Sequence, residues 1–357
     1  FNLTTIFGTR FFGSFIWKLQ NSFNSACLST QFFRNAAPFF WQDVQILYFE
    51  QLQRLVEVLA SQNQNFPYAN YIRNLHITAR TRRTPSKTRS PELKTLLYNL
   101  ISIDASWNLL TFTLDLDIRD CHEVSLRTDF FAKMGHSLEQ VSLHGSSPFC
   151  SDALSFSVGE YCTNLKKVVL ESRYFHGYGI GHITEGCALT DLTIWCRQVT
   201  SSVIISILQG RCSQTLQFLT LKNCDLDDKP LLKNTDPKAL LLPKLKSLTF
   251  IQLYEFSSGN ILTSAGLLRL LESCPNLVEL ELETTGDSSL INDASIFNII
   301  QKLQKLEDFS INNPFTSRLS FHHLGHFDVT VEGLLAALKD RPEVRLRVGA
   351  FDSIMSY

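Results

Sequence analysis

Residues 216–224 read Leu216-Gln217-Phe218-Leu219-Thr220-Leu221-Lys222-Asn223-Cys224, a pattern of the form L-x-x-L-x-L-x-x-C. Its first three apolar positions recur six more times along the chain, at Leu138/Val141/Leu143, Leu165/Val168/Leu170, Leu189/Leu192/Ile194, Leu245/Leu248/Phe250, Leu277/Leu280/Leu282 and Leu306/Phe309/Ile311. The first members of the seven triplets are 27, 24, 27, 29, 32 and 29 residues apart. The chain therefore contains an internal repeat.

The repeated pattern resembles the leucine-rich-repeat signature, in which a short strand directs its aliphatic side chains inward and a helix returns the chain. One such unit takes on the order of 20–29 residues, so the spacings fit and the longest needs a loop insertion. We predict an α/β fold, a leucine-rich-repeat solenoid with a curved parallel sheet inside and helices outside. Leu109/Phe112/Leu114 and Val344/Leu346/Val348 predict further strands before and after the series.

Segments between the strands show helical periodicity. Leu52, Leu55, Val56 and Leu59 follow one another at i, i+3, i+4 and i+7, which predicts an amphipathic helix. Thr263 and Asn292 are expected N-caps of two later helices. The predicted helices are Gln51–Gln62, Leu93–Ile101, Val199–Gln209, Ser264–Glu272, Asp293–Leu303 and Val329–Lys339.

Composition limits the function classes. The chain has 357 residues, 44% apolar and 19% charged, with a formal net charge of −1. This balance favours a folded protein over a disordered chain or a charge-driven nucleic-acid binder. No apolar run is long enough to cross a bilayer, so we expect no membrane partner. The nine cysteines include no C-x-x-C pair, and we interpret them as buried free thiols, which favours a cytoplasmic and/or nuclear location.

The N-terminal region differs from the repeats. Cys27-Leu28, Phe32-Phe33-Arg34 and Phe40-Trp41 occur in the order that the second half of an F-box uses, and Asp43–Ile46 resembles the strand that follows it. Phe66–Ile77 continues with a Pro-Tyr turn and an Arg-x-Leu-x-Ile strand, as in fungal F-box and leucine-rich-repeat proteins. Because the chain begins with Phe1, we expect the Leu-Pro opening of the motif to lie upstream.

The resemblance implies a division into an F-box-like helical segment, residues 1–46, and a leucine-rich-repeat domain, residues 47–357. It also implies that Leu28, Phe32, Phe33 and Trp41 contact a Skp-type adaptor within a cullin complex. A helix in this position could instead be a cap for the first repeat, because terminal repeats of such arrays need one.

Side chains between the buried positions should point to the concave face of the sheet. Trp195 and Phe218 fall there on adjacent strands, and exposed aromatic side chains are common anchors of protein interfaces. One of them could instead be covered by a loop. The acidic side chains Glu279, Glu281, Glu283 and Asp308 fall on adjoining strands, which lie about 4.8 Å apart in a sheet. Like charges that close together favour a cationic partner. We predict a target protein with a basic segment, although solvent and salt could also screen these charges.

Patterns with catalytic or metal-binding chemistry are weak. Gly177, Gly179 and Gly181 lack the spacing of a dinucleotide-binding turn, and we interpret them as a loop. His322, His323 and His326 lack the ligand pattern of a zinc site. We therefore predict no catalytic residue, no cofactor and no metal. The F-box resemblance implies a substrate-recognition subunit of an SCF-type ubiquitin ligase; the alternative is a leucine-rich-repeat interaction scaffold without a ligase role.

Overall fold

The computed structural model describes residues 38–39, 41–61, 67–80, 89–103, 105, 107–116, 129–145, 152–172, 177–196, 201–224, 226, 241–253, 263–285, 292–313 and 331–350. Its internal contacts divide the chain into two compact units, Phe1–Phe149 and Cys150–Tyr357. Both units are built from alternating strands and helices. We call them unit 1 and unit 2.

Within the described residues, unit 1 forms four strands that pair in parallel and in chain order. Its elements are β1 Asp43–Tyr48, α1 Phe49–Ala60, a 3₁₀ turn Tyr68–Tyr71, β2 Asn74–Arg80, α2 Arg89–Ser102, β3 Thr111–Leu116, α3 Asp129–Met134, a 3₁₀ turn Gly135–Ser137 and β4 Gln140–Gly145. β1 crosses the predicted boundary between residues 46 and 47. That boundary stays a prediction, because residues 1–37 lie outside the described residues.

The part of unit 2 that the structure describes forms seven strands, again parallel and in chain order. Its elements are α4 Asp152–Tyr161, β5 Lys167–Ser172, α5 Tyr178–Gly186, β6 Asp191–Trp195, α6 Ser201–Gln209, a 3₁₀ turn Arg211–Gln214, β7 Phe218–Lys222, β8 Ser247–Leu253, α7 Ser264–Glu272, β9 Glu279–Thr285, α8 Asp293–Lys302, β10 Asp308–Asn313, α9 Val331–Leu338 and β11 Arg345–Ala350. Parallel strands in chain order, each following a returning segment, confirm the leucine-rich-repeat α/β architecture.

The predicted triplets form the core. Their second and third members pair in register from strand to strand, as Leu192, Leu219 and Leu248 do in β6, β7 and β8. Every triplet member is at most 1% exposed. We call each buried triplet a rung. Stacking equivalent side chains on neighbouring strands removes apolar surface from water in every repeat, which stabilises the array although each repeat contacts only its neighbours.

Backbone hydrogen bonds lock each repeat to the next at the point where the strands begin. The Gln217 carbonyl oxygen accepts bonds from the N–H groups of Lys246 and Ser247, at 2.9 and 3.1 Å. The Lys246 carbonyl oxygen in turn accepts from Val278 and Glu279. This pattern places the residues that precede β7, β8 and β9 side by side along one edge of the sheet.

The helix caps confirm two predictions and the glycines correct one. Asn292 accepts a hydrogen bond from the Ser295 N–H at 2.8 Å, and Thr263 accepts one from Gly266. The stretch from Gly177 to Gly181, which we interpreted as a loop, instead begins helix α5, with Gly177 as its N-cap at φ 99°. A side chain at Gly179 would lie 2.5 Å from the Asp152 carbonyl oxygen, so this glycine permits close packing of α5 on α4.

The described cysteines are buried free thiols, as predicted. Cys162, Cys187 and Cys212 precede three successive rungs. The Cys187 thiol donates to the Cys162 carbonyl oxygen at 3.4 Å. Burial raises the pKa of Cys187 to about 11 and that of Cys212 to about 12. Protonated thiols of this kind act as small core side chains rather than nucleophiles.

Candidate target-binding face

Side chains between the rungs of unit 2 point away from the core. Those of the first position in each strand pair in register from Lys167 on β5 to Arg345 on β11, and the third and fifth positions form two more rows. Most are half-buried or exposed, in contrast to the rungs. We call this surface of unit 2 the open face.

Trp195 and Phe218 lie on the open face, and each is 44% exposed. Their strands are neighbours, but Phe218 pairs with Asp191 and Trp195 pairs with Lys222. Four residues of strand therefore separate the two rings, which corresponds to roughly 13 Å along the strand direction. Instead of forming one aromatic cluster, they provide two apolar positions at opposite ends of the same pair of strands.

Strand β9 contributes three carboxylates to the open face. Glu279, Glu281 and Glu283 alternate with the rung residues, so all three point the same way. Glu281 accepts hydrogen bonds from the Thr249 hydroxyl at 3.2 Å and from the Asn312 amide at 3.4 Å. Thus, neighbouring strands fix the position of the middle carboxylate. Glu279 is exposed at the start of the strand.

The electrostatic environment of Glu283 differs from that of its neighbours. Burial raises the pKa of this carboxyl group, and the Glu281 carboxylate raises it further, while the Lys222 ammonium partly opposes both effects. The charged form is therefore disfavoured until a cation approaches. This is the behaviour expected of a carboxylate whose charge the Lys222 ammonium balances only in part.

Asp308 has partners within the chain that its sequence position did not predict. It is beside Glu279 in register, as expected. However, its two carboxylate oxygens accept hydrogen bonds from Arg345 at 2.7 Å and Arg347 at 2.9 Å. Both arginines belong to β11, the next strand. The charge of Asp308 is thus already balanced, and the acidic part of the open face reduces to the three glutamates of β9.

Sequence reasoning missed the two arginines, although a signal for them was present. Val344, Leu346 and Val348 were recognised as the apolar positions of a last strand. Residues 345 and 347 alternate with them and must therefore point to the opposite side of the sheet. The alternation alone could have placed Arg345 and Arg347 beside Asp308.

Only one of the four predicted adaptor contacts can be located. Leu28, Phe32 and Phe33 lie outside the described residues. Trp41 lies two residues before β1, and its half-buried ring packs against the ring of Tyr68, with 4.6 Å between the centroids. Burial raises the pKa of Tyr68. Trp41 thus contacts the turn that leads into β2.

The described residues include neither a metal-binding group nor a membrane-spanning helix. No group of three or more His, Cys, Asp or Glu side chains is placed to hold a metal ion in this part of the chain. None of the helices within the described ranges is both long and apolar enough to span a membrane.

Comparisons with known proteins were made at the level of sequence and of structure. No protein-family model and no curated protein matches the chain. Among solved structures, the chain is similar to the crystal structure of the Rad7 and Elc1 complex in yeast, with 12% identity over 94% of this chain and 95% of that one and a TM-score of 0.30. A leucine-rich-repeat protein of Leptospira interrogans is similar at 13% identity over 78% and 84% of the two chains, with a TM-score of 0.24.

Proposed function

We propose that this chain is the substrate-recognition subunit of an SCF-type cullin ubiquitin ligase and binds its target protein through the open face of unit 2. The observation that carries the proposal is the composition of that face: two exposed aromatic rings and a strand of three glutamates on a rigid parallel sheet. Aromatic side chains anchor interfaces, and charge complementarity selects the partner. A target with a basic segment fits this surface.

The catalytic contribution of such a subunit is proximity. Holding a target lysine near a ubiquitin-charged enzyme raises its effective concentration without any catalytic group in the receptor. The connection to the ligase would pass through Leu28, Phe32, Phe33 and Trp41, which we propose contact the Skp-type adaptor. This part of the proposal rests on the F-box resemblance of residues 26–46. The buried free cysteines support a reducing compartment, and we place the protein in the cytoplasm and/or nucleus.

The adaptor contact is tested by co-purification. The full chain and a Phe32→Ala/Phe33→Ala variant are each expressed with a Skp-type adaptor, and the amount of adaptor retained is measured. We expect the wild type to retain adaptor. The variant should retain at least about tenfold less, because central aromatic side chains contribute much of the binding free energy at interfaces. A Phe297→Ala variant, altered at an exposed aromatic residue on helix α8, is the matched control.

The target contact is tested by proximity labelling under proteasome inhibition. A Glu279→Gln/Glu281→Gln/Glu283→Gln variant removes three charges from the open face. Its control, Glu160→Gln/Glu185→Gln/Glu332→Gln, removes three from exposed helix positions. We expect proteins with basic segments to disappear from the labelled set of the first variant only. If the glutamate variant labels the same proteins as the wild type, the three glutamates do not bind the target.

The alternative is a leucine-rich-repeat interaction scaffold with no ubiquitin-ligase role. The open face supports this function equally well, because it belongs entirely to unit 2 and needs no residue before Cys150. The two experiments separate the alternatives. The glutamate variant could lose its labelled targets while the wild type retains no adaptor. That combination would support the interaction scaffold and exclude the ligase role.

A further inference from the structure

A shallow groove of about 440 Å³ lies at the edge of the sheet where β7–β10 begin. It is lined by Gln217, Pro243, Lys244, Lys246, Asn276 and Lys305, among others. These residues precede the strands and so lie outside the open face proper. We call this feature the lysine groove.

The charged groups that line the lysine groove are all lysine ammonium groups. Lys244, Lys246 and Lys305 are exposed at the surface. Among the residues that the structure describes, no carboxylate forms an ion pair with Lys244 or Lys246. Two of the three positive charges are therefore unbalanced by this part of the protein, although Glu279 and Glu307 lie at nearby strand starts.

One side of the lysine groove is held in place by a chain of hydrogen bonds. The Lys305 ammonium donates to the Asn276 Oδ1 at 2.6 Å, and the Asn276 amide donates to the Pro243 carbonyl oxygen at 2.6 Å. Three successive repeats are connected in this way. The amide thus orients Lys305 toward the groove without removing its charge, which lowers the entropic cost of using it to bind an anion.

We propose that the lysine groove binds a phosphorylated segment of a partner protein. A phosphoryl group brings close to two negative charges and three acceptor oxygens, which several convergent ammonium groups can share. A carboxylate brings one negative charge and two acceptor oxygens, so the same ammonium groups gain less from it than from a phosphoryl group. The cations of the groove are lysines, which bind phosphate as point charges. This site lies outside the glutamates and aromatic rings proposed to bind the target, and does not depend on the ligase role.

The test measures binding of peptide libraries to the purified full chain. Three degenerate libraries share their flanking positions and differ in one fixed central residue: phosphoserine, serine or glutamate. We expect the phosphoserine library to be retained at least about tenfold more than the other two, with retention falling as salt rises. A Lys244→Glu/Lys246→Glu variant should lose this retention. Arg54→Glu/Lys133→Glu, with the same change of net charge at exposed helix positions of unit 1, should keep it within about twofold.

Each other outcome overturns the proposal. Equal retention of the phosphoserine and glutamate libraries would mean that the groove selects acidic segments in general. Equal loss in both charge-reversal variants would mean that net charge, and not the groove, drives binding. Circular dichroism confirms that the variants fold, and Lys244→Gln/Lys246→Gln, which introduces no repulsive charge, should show the same loss of preference. Retention of phosphoserine peptides by that neutral variant would place their site elsewhere.

Discussion

The two sides of the sheet in unit 2 share one backbone and differ completely in chemistry. At one register position the rung residues Leu192, Leu219 and Leu248 succeed one another on β6, β7 and β8. One residue earlier, the open face presents Asp191, Phe218 and Ser247. The difference shows that stacking requires similar shapes only where side chains touch across repeats. The other side is free to vary, and this freedom is where recognition can develop.

Leu219 and Phe218 provide the most direct test of this difference between the two sides of the sheet. Leu219→Ala removes a side chain that is 1% exposed and leaves a cavity, so we expect the free energy of unfolding to fall by about 2–5 kcal/mol. Phe218→Ala changes a larger side chain that is 44% exposed, and should cost less than about 1 kcal/mol. Urea denaturation monitored by circular dichroism measures both. Equal losses would contradict the division into a structural and a recognition side.

The helix layer behind the rungs gives a second, smaller test. A Cβ atom at Gly179 would lie 2.5 Å from both the Asp152 carbonyl oxygen and the Ser155 Cβ, so Gly179→Ala must push α5 away from α4. We expect a loss of about 2 kcal/mol.

Gly181→Ala is the matched control two residues later. Its nearest contact is the Ser206 Oγ at 3.3 Å, the end of a side chain that can turn away. Because alanine also favours helix over glycine, stability should stay the same or rise by up to about 1 kcal/mol. If both substitutions destabilise the protein equally in thermal melts, close helix contact is not what the first glycine provides.

In unit 2, Arg341 connects the repeat that contains β11 to the one that contains β10. Its guanidinium donates to the carbonyl oxygens of Ile300 and Leu303 at 3.1 and 3.3 Å, and also to those of Gln304 and Leu306. Arg341→Met keeps much of the aliphatic stem but leaves these acceptors without the guanidinium donor. We expect a loss of about 1.5 kcal/mol, together with faster amide hydrogen exchange in β10 and β11. Arg345→Met, which changes an exposed side chain, should leave exchange outside β11 unchanged.

The sequence analysis predicted the features that depend on local period and missed most contacts between neighbouring repeats. Rungs, caps and the strand at Val344 follow from spacing alone, because each repeat buries the same positions. The helix at Gly177 was missed because its glycines serve contact with α4, which lies about 25 residues earlier and leaves no local periodic signal. The pairing of Asp308 with two arginines and the separation of Trp195 from Phe218 were also missed, although aligning the apolar positions of neighbouring strands gives the register that places these residues.

The smallest expected effect concerns Glu283, where the open face itself affects stability. Because the folded pKa of this carboxyl is raised mainly by burial, the folded protein holds the proton more tightly than the unfolded chain does. Above both pKa values, its ionised form therefore costs stability, and the cost disappears as pH falls below the unfolded value of about 4.3. Glu283→Gln should raise the free energy of unfolding at pH 7 by less than about 1 kcal/mol, since the group is partly exposed.

The pH dependence makes this prediction specific. The advantage of Glu283→Gln over the wild type should shrink between pH 7 and pH 4, and Glu279→Gln, at the exposed start of the same strand, should show no comparable gain. Urea titrations at the two pH values measure the difference. A variant less stable than the wild type at pH 7 would mean that Glu283 already has a compensating cation. In that case the open face would not need one from a partner, and the sharpest contrast between the rungs and the open face would be lost.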